Sequence, residues 1–64
     1  MSVKVGQRRR MSGGTIYTVT EIGVGTADDP NAEWCRVVYG DGLEFEWRTY
    51  FCDEDTLIEE GAES

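Results

Sequence analysis

The chain of 64 residues contains no histidine. That absence removes the Ser/His and Cys/His pairs by which many nucleophilic enzymes activate the attacking atom. It also removes the imidazole that would complete a tetrahedral zinc site begun by two cysteines. Cys35 and Cys52 are the only cysteines, too few for the disulfide framework usual in a secreted domain of this size. They read as free thiols packed as small hydrophobes. Proline occurs once, at Pro30, and no apolar run approaches the roughly 20 residues that cross a bilayer. The opening "MSVKVGQRRRM" carries charge with no apolar stretch behind it, so it does not read as a signal peptide. The cytoplasm is the expected compartment. The acids of "DEDTLIEE" lack the acid-x-acid-x-acid-Gly register of a calcium loop. No metal and no cofactor is expected.

Basic residues are also scarce, and they are unevenly placed. Six bases stand against thirteen acids, for a net charge of −7. Lys4, Arg8, Arg9 and Arg10 precede every acid; only Arg36 and Arg48 follow. The body is therefore acidic with one basic edge. A dominant negative field disfavours nucleic acid, whose phosphates need cations, and suits a basic protein partner.

What the chain does contain is β-forming. Hydrophobic residues make up 39% of it, with two Trp, three Tyr and two Phe, enough to argue for one folded domain. "SVKVGQRRRM" reads as a first strand with Val3 and Val5 on one face and a bend or bulge at Gly6. "SGG" is a turn. "TIYTVTEIGV" is the strongest strand signal, with Tyr17 and Val19 sharing a face and Ile22 one step out of phase. A bulge near Thr20-Glu21 would bring all three inward. Residues 25–33 form a polar loop, and "WCRVVY" is the third strand. Gly40-Asp41-Gly42 is a hairpin turn, since glycine supplies the positive φ that tight turns require. "LEFEWR" is the fourth strand, with Leu43, Phe45 and Trp47 on the presumed inner face and Glu44, Glu46 and Arg48 on the outer. "TYFCDEDT" breaks the alternation and suits one turn of 3₁₀ helix. "LIEE" is a short last strand, with Leu57 and Ile58 as core anchors. The expected architecture is all-β: one domain over residues 1–60, a five-stranded SH3-like barrel with a 3₁₀ turn before the last strand, and a frayed tail at 61–64. Closing the sheet is how so short a β protein protects its edges.

"KVGQRRRMSGGTIYTVTEIG" followed by "WCRVVYGDGLEFEW" resembles the small bacterial family of the YodC type. The resemblance implies an SH3-like fold over most of residues 3–58 and no established activity. Gln7 stands where that pattern usually has an acid, and the loop at 25–33 is longer and more acidic. Compactness and acidity together are also a profile of small phage or mobile-element products that engage a host protein.

The expected function is non-enzymatic: a protein-binding or regulatory accessory module engaging a basic partner. Seven aromatics cannot all fit so small a core, and Trp34, bordering the polar loop, is the best candidate for a surface anchor. The expected contact surface is Trp34, Glu44 and Glu46, with Asp28 and Asp29 from the loop. The alternative is a nucleic-acid-binding barrel using Lys4, Arg8, Arg9 and Arg10. On a strand Arg8 and Arg10 face one way and Arg9 the other, which divides that patch. A second alternative is a structural subunit of a homo-oligomer.

Overall fold

A computed structural model describes residues 3–60; the tail read at 61–64 lies outside them. The elements in chain order are β1 (Arg8–Arg10), β2 (Ile16–Val24), β3 (Glu33–Tyr39), β4 (Glu44–Arg48), α1 (Thr49–Asp53) and β5 (Thr56–Glu59). The five strands form one antiparallel sheet in the order β4-β3-β2-β1-β5. Among the described residues no helix is long and apolar enough to cross a membrane.

The β2 strand forms the centre. Tyr17 and Val19 alternate inward and are each 1% exposed. Pairing then slips, from Val19 opposite Val37 to Glu21 opposite Arg36. Thr20 is the extra residue, and its hydroxyl donates to the Arg36 carbonyl at 3.2 Å. This bulge resets the phase, so that Ile22 stands opposite Cys35 and packs on the core. The buried cluster is Val3, Tyr17, Val19, Cys35, Val37 and Cys52, flanked by Met11, Ile22, Tyr39 and Trp47.

Four expectations need correction. The first strand is only Arg8–Arg10, because the chain turns tightly just before it. Gly6, at φ 92°, donates to the Val19 carbonyl, and Gln7 N–H donates back to the Lys4 carbonyl. Val3 is thereby buried and Val5 left 53% exposed. Second, the turn before the last strand is α-helical, not 3₁₀. Third, Leu43 sits on the hairpin and is 56% exposed, and Phe45 is 39% exposed; of that face only Trp47 packs against the core. The strand β4 lies at the sheet's edge, with a neighbour on one side only, and an edge strand is covered less than a central one. Fourth, Leu57 is half-buried while Ile58 is 40% exposed, since neighbours on a strand face opposite ways.

A buried polar knot joins the first strand to the last segment. Arg9 is 2% exposed. Its Nε donates to Gln7 Oε1 at 3.0 Å, and its Nη1 donates to the carbonyls of Cys52 and Asp55 at 2.9 and 3.2 Å. The Cys52 carbonyl at the helix end also accepts the Asp55 N–H at 3.0 Å, so the strand side chain adds a second donor there. Beside it the Tyr17 hydroxyl donates to Asp55 Oδ2 at 2.6 Å.

Candidate binding grooves around Trp47 and Phe51

The short helix α1 determines what is presented outward. Thr49 and Cys52, three residues apart, take its inner face and are buried. Thr49 is held there by donating its hydroxyl to Glu33 Oε1 at 2.8 Å. Tyr50 and Phe51 are consequently turned out, 57% and 54% exposed, with ring centroids 4.5 Å apart.

Trp47 stands beside them on β4. Its ring meets the edge of Tyr17 at 5.3 Å and 87°, and stacks with Phe45 at 6.2 Å and 21°. These contacts seat the half-buried indole against its neighbours. Trp47 and Phe51 are shared by two surface grooves. One, of about 520 Å³, runs past Thr26, Trp34, Glu46 and Arg48. The other, of about 430 Å³, is completed by Met11, Ser12, Glu54 and Asp55.

The five residues expected to form a single contact surface are not gathered into one patch. Trp34 and Glu46 do share the first groove. Trp34 is half-buried, donates its indole N–H to the Gly25 carbonyl at 3.1 Å, and lies flat over Gly23. A Cβ on Gly23 would come within 2.3 Å of Trp34 Cζ2. Gly23→Ala is therefore expected to expel the indole and cost about 1–3 kcal/mol, in the range of overpacking strain. A red shift of tryptophan emission and a lower urea midpoint would register it; an unchanged spectrum would contradict this packing.

Glu46 is already engaged. Arg36 donates to it through Nη2 and reaches Glu21 at 3.1 Å through Nη1. The hydrogen bond to Glu46, then the charge of Glu21, raises the Arg36 pKa above its ordinary value. Glu44 lies further along the outer face of β4, exposed, beside Phe45 and Arg36. Asp28 and Asp29 are exposed in the β2–β3 loop. Asp29 works for the loop itself, accepting from the Thr26 N–H by its carbonyl and from the Asn31 N–H by Oδ1.

The basic patch loses a member. Arg9 is buried, so only Lys4, Arg8 and Arg10 of the four remain at the surface. Arg8 lies 3.5 Å from Glu59.

Sequence reasoning missed Met11, Phe51, Glu54 and Asp55. A signal for Phe51 was present. Adjacent aromatics in a one-turn helix cannot both face inward when Thr49 and Cys52 occupy that side. Cys35 and Cys52 approach to 3.2 Å as buried free thiols. Burial, then the bond to Cys52, pushes the Cys35 thiol up to about 12.

No family model, curated protein or solved structure matches the chain.

Proposed function

We propose that the protein is a non-enzymatic binding module that engages a basic protein partner through the Trp47–Phe51 face. The observation carrying this reading is a fixed tryptophan and an exposed phenylalanine dividing two grooves, in a chain of net charge −7. Aromatics held rigid at a surface contribute contact area at little entropic cost, which is why they anchor interfaces. The excess of acids would draw a basic partner and repel an acidic one. Cys35 supports the non-enzymatic reading, because a thiol held near 12 supplies almost no thiolate at neutral pH. A strand order with β1 between β2 and β5, and a helical turn leading into β5, supports an SH3-like barrel in line with the YodC-type resemblance.

A peptide of alternating arginine and leucine tests it against a glutamate-leucine counterpart, read by tryptophan emission. Saturable binding of the basic peptide is expected at about 50 mM salt and loss of most of it near 0.5 M, where screening is short-ranged. Equal response to both peptides, or none to either, would overturn the reading. The nucleic-acid alternative is weakened by the burial of Arg9; an electrophoretic shift with short RNA or DNA at low salt would reinstate it.

A further inference from the structure

The second groove has a composition that selects for one kind of side chain. Met11, Trp47 and Phe51 supply apolar walls, and Glu54 and Asp55 supply carboxylates on consecutive residues. Among the described residues the Glu54 side chain makes no ion pair or hydrogen bond. Asp55 spends one carboxylate oxygen, Oδ2, on the Tyr17 hydroxyl. The first groove offers a cation less. Arg48 lines it, and its only carboxylate, Glu46, is held by Arg36.

We propose that the Met11–Trp47–Phe51 groove receives an arginine side chain of a partner polypeptide, its guanidinium held by Glu54 and Asp55. The inference rests on the binding-module reading and names what that face would recognise. Apolar walls suit the methylene stem of a long basic side chain, which packs readily while its head stays wet. A planar guanidinium stacks on an indole and meets carboxylates with a bidentate fork, neither of which a compact ammonium offers. Charge around the groove favours this occupant. Asp53, exposed at the end of α1, adds a third carboxylate nearby in the chain. The buried Arg9 opposes them, donating to the Asp55 carbonyl from behind. Arg10, exposed beside Met11 and paired with Thr56, is a second cation nearby, so two guanidiniums stand against three carboxylates and the site remains negative.

The probe is N-acetyl-arginine amide titrated into the ¹⁵N-labelled protein, with the N-acetyl amides of citrulline and lysine in parallel. Shifts are expected at Met11, Ser12, the Trp47 indole, Phe51, Glu54 and Asp55. Citrulline, equal in shape but neutral, should bind about tenfold more weakly, as should arginine on Glu54→Gln, a substitution at an exposed and unbonded side chain. Shifts confined to the first groove, equal response to citrulline or lysine, or unchanged affinity in Glu54→Gln would each overturn the assignment. Basic-peptide binding that leaves this groove unperturbed would sink the inference and spare the binding-module reading. Failure of peptide and amide alike would remove both.

Discussion

Arg9→Ala is expected to remove a large part of the protein's stability, lowering the urea midpoint steeply. The side chain is 2% exposed and donates three hydrogen bonds, to Gln7 Oε1 and to the carbonyls of Cys52 and Asp55. Alanine strips the Arg9 donors from those acceptors and leaves a hole where the three-methylene stem and guanidinium packed. Gln7 Oε1 keeps the Lys4 N–H and the Cys52 carbonyl keeps the Asp55 N–H, so the cost is mainly the cavity and the lost hydrogen bonds, about 3–5 kcal/mol together. A chain of this length has roughly 3–10 kcal/mol of stability in total, taking about 0.05–0.15 per residue. Arg9→Met separates the two causes. Methionine refills part of the stem and removes the Arg9 Nη2 group, which has no partner among the described residues, yet it restores no donor. It should therefore fall between the alanine variant and the parent in urea denaturation. An alanine variant with the parent's midpoint would mean that Arg9 is not the tie it looks to be.

Mild alkali is the second large lever. The Cys35 thiol is 0% exposed and held at about 12 against an ordinary 9.0, chiefly by burial. Tyr17 is likewise raised above its ordinary 10.0, by burial first and then by its bond to Asp55. The folded state thus keeps both protons at pH values where the unfolded chain releases them. The stability these protonated groups allow is complete below about pH 9 and declines as pH climbs toward 12. Each group removes about 1.4 kcal/mol per pH unit once its unfolded form ionises. Cys35 acts from about pH 9 and Tyr17 from about pH 10, so the slope steepens over that unit. Urea titrations at fixed pH should show a midpoint level from pH 7 to 9 and falling steadily beyond. Cys35→Ala should start from a lower midpoint yet stay level until about pH 10. A parent midpoint unchanged from pH 9 to 11 would be incompatible with a buried protonated thiol.

How much could be read in advance depended on whether a feature was local. The bulge at Thr20 was legible because Tyr17, Val19 and Ile22 could share a face only if one residue was skipped. The hairpin at Gly40-Asp41-Gly42 was legible for the same kind of reason. Gly42 lies at φ 93°, donates to the Tyr39 carbonyl, and needs no knowledge of the rest of the fold. The inward direction of Arg9 could be argued from alternation against Arg8 and Arg10. Its burial could not, since that depends on two carbonyls 43 and 46 residues away. Leu43 and Phe45 alternate as an inner face should, and nothing in their pattern says that the core ends before it reaches them. The groove was hidden for a similar cause. Met11, Trp47 and Asp55 belong to three separate segments that only the packed fold unites, and no spacing along the chain announces such a meeting.

The knot around Arg9 bears on the order of events when the chain is made. Arg9 is made well before the Cys52 and Asp55 carbonyls that accept from its Nη1. Strand β1, lying between β2 and β5, also waits for a neighbour made after the other three strands. Until then the arginine has no interior to enter, and an ionised side chain remains in water at no cost. The emerging chain can rehearse the β2–β3–β4 meander, whose strands meet their partners promptly. It cannot complete this packing until residues 52–59 are free to dock, so folding ends on a long-range closure, the kind of contact that forms late.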